Sequence, residues 1–314
     1  MRPTGNYCQR RRQHFHQQIK NKDRERAMKK IMITGCNGQL GRALNSLYEK
    51  EQNIEIINTD VFSGDHITPL DITDVDAVLS FVKERKPDAI INCAAHTNVD
   101  KCETDIDNAY KINAVGPRNL SLAATETGAK LMHISTDYVF PGTESRALTE
   151  FDVVGPVSMY GKTKLAGENF VKEFSEKHFI IRTAWLYGDG KNFVKTMLRL
   201  AQDHDEVSVV KDQFGTPTSA LELAKAIRYL LPTENYGLFH GTCEGSCSWA
   251  DFAAEIFRLA KKYTKVNYIT TEEFASPTKR PAYSILDNYM LRLTTDFTFA
   301  PWQEAIAEYM RDAF

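Results

Sequence analysis

Tyr160-Gly-Lys162-Thr-Lys164 places a phenol and an ammonium four residues apart. On a helix, such a pair projects from one face. A phenol that titrates near 10 is a weak acid–base group at neutral pH. A neighbouring cation favours its ionised form and moves it toward the working range. With 13 Tyr and 39 Lys or Arg in the chain, this spacing also arises by chance. Tyr187 and Lys191 share it, in a stretch (Tyr187-Gly-Asp-Gly190) that offers no fixed helical face. Ser135-Thr136-Asp137-Tyr138-Val139-Phe140 distinguishes the first pair. It ends an apolar run that reads as a central strand, and open α/β sheets bind ligands at that edge. A Thr136 hydroxyl there can polarise a carbonyl; the alternative is a strand-end hydroxyl that satisfies backbone groups.

A second feature suits anions. Gly35-Cys-Asn-Gly38-Gln-Leu-Gly41 lies between a short β-rich run (29–34) and a helical pattern with Leu40, Ala43, Leu44 and Leu47 on one face. The spacing G-x-x-G-x-x-G is one residue wider than the G-x-G-x-x-G fingerprint, but the physics is shared. Glycine allows a tight turn and close backbone approach, and the helix N-terminus offers free N–H groups to a pyrophosphate. Asp60 ends the next β-rich run, 19 residues after Gly41. A carboxylate there can accept hydrogen bonds from a ribose diol, or it is a solvated turn residue. Asp71 can meet an adenine amino group or cap a helix.

These groups need a scaffold that alternates strand and helix. Apolar runs at 29–34, 54–59, 89–95, 131–135 and 179–186 alternate with helical patterns at 75–82, 105–126 and 158–174. Such alternation predicts an α/β fold: a Rossmann-type, doubly wound parallel sheet. After about residue 188 the pattern loosens. The expected division is a basic extension (1–28), a nucleotide-binding domain (29–188) and a smaller, less regular substrate-binding part (189–314). Helices near 219–231 and 249–260 can belong to either half.

Composition limits the function class. The chain has 314 residues, is 42% hydrophobic and 25% charged, and holds six Cys. No apolar run approaches the ~18 residues needed to span a bilayer, and no secretory signal is visible. The Cys read as reduced thiols of a cytoplasmic protein. Residues 1–30 carry ten basic residues against two acids, and the remainder carries 29 against 39. An acidic body argues against nucleic-acid binding. The basic head reads as a disordered extension, or as sequence upstream of a start at Met28; a nucleic-acid or membrane-surface arm is the alternative. His240, Cys243 and Cys247 are three soft ligands without an obvious fourth, so buried thiols are favoured over zinc. Cys93 reads as core packing, His133 as structural, and His96 as a pocket-shaping residue.

Longer blocks narrow the reading. Asn92-Cys-Ala-Ala-His-Thr-Asn-Val-Asp100-Lys-Cys-Glu103, STDYVFPG (135–142), YGKTKLAGE (160–168), RTAWLYG (182–188), NFVKTMLRLA (192–201), DQFGTPT (212–218) and RPAYS (280–284) resemble the dTDP-4-dehydrorhamnose reductase family. That family lies within the extended short-chain dehydrogenase/reductase superfamily. The resemblance runs from about Lys29 to the C-terminus. It implies that NADPH or NADH reduces the C4 keto group of dTDP-4-dehydrorhamnose to give dTDP-L-rhamnose for cell-surface polysaccharide. By position, Tyr160 donates the proton, Lys164 holds the nicotinamide ribose and lowers the pKa of Tyr160, and Thr136 stabilises the C4 oxygen. Gly35, Gly38, Gln39, Leu40 and Gly41 line the pyrophosphate, Asp60 and Asp71 face the adenosine half, and Ala94, Ala95 and Thr97 flank the cofactor. Val99, Asp137, Trp185 and Arg280 match positions near the sugar nucleotide; for Arg280, a surface position before Pro281 is the alternative. Some members carry a Glu tied to a Mg²⁺-linked dimer where this chain has Ala43, which argues against that metal and leaves a monomer or a homodimer. Asp60 favours NADH at least as much as NADPH. Two other readings remain: a nucleotide-sugar epimerase or dehydratase on the same scaffold, and a regulatory subunit similar to that of methionine adenosyltransferase. Dehydratases carry Asp-Glu after the Thr, whereas here Tyr138 follows Asp137.

Overall fold

In Lys30–Thr34, Ile31 and Ile33 point to one side and Met32 to the other, and all three are buried. A strand apolar on both faces must lie inside a sheet covered by helices on both sides. The computed structural model describes residues 30–275, 278 and 280–313, so the readings for residues 1–28 lie outside the described residues. Seven strands build the main sheet: β1 (Lys30–Thr34), β2 (Glu55–Asp60), β3 (Ile67–Pro69), β4 (Ala89–Asn92), β5 (Lys130–Thr136), β6 (His178–Thr183) and β7 (Gly237–His240). Their order is β7-β6-β5-β4-β1-β2-β3, and every neighbouring pair is parallel. The chain direction across the sheet reverses between β1 and β4, where such sheets open a crevice at the strands' C-terminal ends.

The longer helices are α1 (Gln39–Tyr48), α2 (Val75–Arg85), α3 (Gly116–Thr127), α4 (Met159–Phe174), α5 (Phe193–Asp203), α6 (Ala220–Leu230), α7 (Trp249–Leu259) and α8 (Trp302–Ala313). On one face of the sheet, Leu40 and Leu44 of α1 and Leu223 and Ile227 of α6 join Ile31, Ile33, Ile91 and Ile181 in one core. On the other, Val78 and Val82 of α2, Leu120 of α3 and Val171 of α4 cover Met32, Ile57, Ile90 and Ile180. Each such side chain adds about 1.5–3 kcal/mol of burial free energy.

Two expected elements are interrupted. The pattern over 105–126 resolves into a short helix (Ile106–Tyr110), a π-helical turn (Lys111–Val115) and α3. The apolar run 179–186 ends as a strand at Thr183, because Trp185 adopts a left-handed φ of +48°. Residues 189–314 supply both layers: α6 and β7 complete the main sheet and its cover, while α5, α7 and α8 enclose a second core around Phe252, Ile256, Trp302 and Ile306. Among the described residues, no helix is long and apolar enough to cross a membrane.

A buried ion pair locks α4 to the sheet. Arg182 of β6 donates from Nε and Nη2 to both oxygens of Glu168 on α4, at 2.8 and 2.7 Å. The hydroxyl of Ser135 on β5 donates to Oε1 at 2.6 Å. Burial opposes the charge on Glu168, but Arg182 and Ser135 hold its carboxyl below the usual range. Removing one partner leaves the other charge buried and alone. Glu168→Ala is therefore expected to destabilise the fold by about 3–5 kcal/mol, measured by urea unfolding. A loss below about 1 kcal/mol, the size of an exposed pair, would contradict this account of α4.

Candidate active site

At the C-terminal edge of the sheet, between the loops after β1, β4, β5 and β6, lies a cavity of about 580 Å³. Each wall follows from local structure. Gly35, at φ +64°, turns the chain out of β1, and a Cβ there would stand 2.7 Å from the Ala94 backbone. The next turn closes through Gly38 N–H to Gly35 C=O at 3.0 Å. α1 starts at Gly38, which has no side chain to cap it, so its first amides face the cleft edge uncapped. Gly38, Gln39 and Leu40 line the cavity. A Cβ on Gly35 or Gly41 would also meet backbone, so these glycines shape the loop from behind. That backbone cradle fits a pyrophosphate.

α4 supplies the opposite wall. Ser158 caps it by accepting from Gly161 N–H at 3.2 Å. A Cβ on Gly161 would come within 2.2 Å of the Tyr138 carbonyl, so the first turn seats directly on the loop after β5. Tyr160 and Lys164 both line the cavity, beside Thr136 and Asp137. The Tyr160 phenol lies within reach of the Thr136 hydroxyl, and Thr136 Oγ1 donates to Asp137 Oδ1 at 2.9 Å. Lys164 Nζ donates to the Ile134 carbonyl at 2.5 Å. Ala95, Thr97 and Val99 come from the loop after β4, and Trp185 from the loop after β6.

Electrostatics correct one expectation. Burial, and not Lys164, dominates the titration of Tyr160. Tyr160 keeps some surface on the cleft, yet it is packed densely enough that desolvation pushes its phenol above the ordinary value; the Thr136 hydrogen bond opposes this and the Asp137 charge adds to it. Burial lowers Lys164 to about 8, against the pull of Glu168. Burial raises Asp137 to about 6, although Ser284, Thr136 and backbone donors work the other way. Among the described residues, Asp137 Oδ2 is buried without a hydrogen-bond partner of good geometry, as is Thr183 Oγ1; both residues line the cavity. Orphaned polar atoms in a cleft wall mark places for a ligand's donors.

Other expected residues are placed differently. Asp60 lies behind the glycine loop: Oδ2 accepts from Asn37 N–H at 3.1 Å and Oδ1 from Val61 N–H at 2.8 Å. Asp71 is exposed and accepts from Thr73 N–H, while Asp74 caps α2. Ala94 backs the glycine loop, donating from its N–H to Asn92 Oδ1 at 3.1 Å. Arg280 pairs with Asp100 at 3.6 Å and does not reach the cavity wall. Cys93 lies just past β4 and joins that wall instead of only packing the core. His96 does not reach the wall; its Nδ1 meets Cys102 Sγ at 3.3 Å. His133 is buried and bonds Asn92. His240 is buried against the Leu148 and Asp287 carbonyls. Among the described residues, no cluster of His, Cys, Asp or Glu is placed to hold a metal.

Sequence reasoning missed four residues. Asn113 sits in the π-helical turn, where its side chain bonds the His96 backbone twice, at 2.8 and 3.1 Å, and donates to Thr163 Oγ1 at 3.1 Å. Thr163 in turn donates to the Tyr160 carbonyl. Asn113 thereby ties the loop after β4 to the turn carrying Tyr160. Lys191, Asn192 and Trp249 line the cavity from the C-terminal part. Asn192 also donates to Gln39 Oε1 at 3.2 Å, joining α5 to α1.

Similarity to known proteins points to one family. Residues 28–314 match the family model described as the RmlD substrate binding domain. The dTDP-4-dehydrorhamnose reductase of Aggregatibacter actinomycetemcomitans is 38% identical over 89% of this chain and 97% of its own length. A crystal structure of a dTDP-4-dehydrorhamnose reductase from Clostridium acetobutylicum superposes with a TM-score of 0.86 at 57% identity, over 90% of this chain and 98% of that one. The reductase of Bacillus anthracis, solved in complex with NADP, gives 0.86 at 42% identity, over 91% and 100%.

Asp137 generates a test. Its folded-state pKa exceeds the unfolded 3.8, so the folded state holds the proton more tightly and stability falls as pH rises from about 4 to about 6. Asp137→Asn is expected to gain up to about 3 kcal/mol at pH 7 and nothing below pH ~4, measured by unfolding across pH. A gain that does not depend on pH would contradict it. By family model, by relatives aligned over nearly their whole length and by fold, this chain belongs to the dTDP-4-dehydrorhamnose reductase family.

Proposed function

We propose that this protein reduces the C4 keto group of a dTDP-4-dehydro-6-deoxy sugar, giving dTDP-L-rhamnose. The observation that carries this reading is the convergence of Tyr160, Lys164 and Thr136 on one cavity beside the glycine loop. When bound, NAD(P)H supplies the hydride. Gly38, Gln39 and Leu40 would hold its diphosphate at the start of α1, and Lys164 its nicotinamide ribose. Thr136 and Tyr160 converge on one point, so both hydroxyls can meet the same carbonyl oxygen. As C4 accepts the hydride, its oxygen gains charge, and the Tyr160 O–H breaks to give that oxygen the proton. Thr136 stabilises the developing charge once its hydroxyl turns from Asp137 Oδ1 to donate to that oxygen. Solvent then returns a proton to Tyr160.

A raised phenol pKa suits an acid that must hold its proton until the alkoxide forms. Lys164, with a pKa near 8, remains mostly charged at neutral pH and suits an anionic cofactor. Tyr138 meets Tyr160 edge-on, with ring centroids 5.4 Å apart. It occupies the position where the resemblance places a dehydratase's second carboxylate, which favours reduction over dehydration.

Tyr160→Phe is expected to lower turnover by roughly 10²–10⁴-fold while NAD(P)H affinity stays near wild type, followed by nicotinamide absorbance and fluorescence titration. Unchanged turnover would remove the mechanism. The Asp60 carboxylate accepts from Asn37 N–H at the end of β2, and an acidic side chain there disfavours a 2′-phosphate. NADH efficiency at or above that of NADPH is therefore expected in steady-state kinetics, and efficiency far higher with NADPH would contradict it.

A further inference from the structure

Trp185 and Trp249 stack face to face, with ring centroids 3.5 Å apart and planes 10° from parallel. They come from different parts of the chain: Trp185 from the loop after β6, and Trp249 from the first turn of α7, whose neighbours build the second core. Both line the cavity that holds Tyr160. Trp185 has a left-handed backbone, φ +48°, which a bulky residue adopts only when its surroundings impose it. Two contacts impose it here. Trp249 covers the indole, itself backed by Phe193 at 4.5 Å between centroids. Gly215 also presses on the indole: a Cβ at that position would stand 2.5 Å from Trp185 Cε2.

We propose that Trp249 is a positioning residue for the sugar-nucleotide site. It clamps Trp185 against Gly215 so that an indole wall stands opposite Tyr160 before the substrate arrives. The backbone strain at Trp185 is then met during folding and not during binding, which is the physical meaning of preorganisation. This inference rests on the proposed reductase reading for the identity of the ligand. The stack itself is testable without turnover.

Trp249→Ala is expected to raise KM for the dTDP-4-keto-6-deoxy sugar about three- to tenfold, with kcat and NAD(P)H affinity near wild type. Trp249→Phe, which keeps a ring to stack, should recover most of the loss. Gly215→Ala, pushing Trp185 from the other contact, should reproduce the Trp249→Ala phenotype. The exciton couplet of stacked indoles in circular dichroism should disappear in Trp249→Ala. Binding of dTDP alone, followed by tryptophan fluorescence, should weaken in the same order. An unchanged KM in Trp249→Ala would overturn the proposal. So would a parallel fall of kcat, NAD(P)H affinity and thermal stability in both the Ala and Phe variants, which marks a packing role only. If wild-type protein binds dTDP through the stack but reduces no dTDP sugar, the reductase reading fails and the positioning role survives.

Discussion

The carboxylate of Glu168, buried between Arg182 and Ser135, fixes where α4 meets the sheet, and the active-site geometry follows from that. Glu168 lies one turn beyond Lys164 and two beyond Tyr160 on the same helix. A helix allows little rotation once one such anchor is set. The Ser158 cap and the contact of Gly161 with the Tyr138 backbone hold its first turn. Asn113 holds that turn from the side through Thr163. The two chemical groups on α4 are therefore oriented by charge, cap and close packing, with little freedom left for a ligand to impose.

The site concentrates groups that water would serve better. Asp137 and Lys164 are both shifted by burial, the acid upward and the amine downward, so each is less stable as an ion here than in solvent. A protein that keeps such groups beside a cleft retains them for what the cleft binds. The left-handed Trp185 belongs to the same class. These tensions rest on a parallel sheet packed on both faces, whose apolar cores supply the stability that the site spends locally.

Much of this was legible in the sequence. Apolar runs and helical patterns give β1, β2, β4, β5 and β6 and the helices that cover them, but not the three-residue β3, and the glycine loop and the Tyr160/Lys164 pair fall where such a sheet gathers ligands. What escaped has physical causes. Periodicity assumes regular helices, so the π turn that points Asn113 inward was invisible. Two-residue strands such as Leu186–Tyr187 carry too little pattern to read. Trp249 reaches the cleft only through tertiary packing. Asp60 reads as a free acceptor in sequence, whereas the fold gives it the Asn37 and Val61 amides. The Lys164 effect on Tyr160 was inferred from spacing, but burial outweighs it.

The central claim is net hydride delivery to C4 with a proton from Tyr160. Its most direct test uses nicotinamide cofactor deuterated at the transferred position, with the product analysed by mass spectrometry. The account predicts one deuterium at C4 and one cofactor oxidised for each sugar reduced. A product without deuterium, or sugar converted while the cofactor is regenerated, would contradict it.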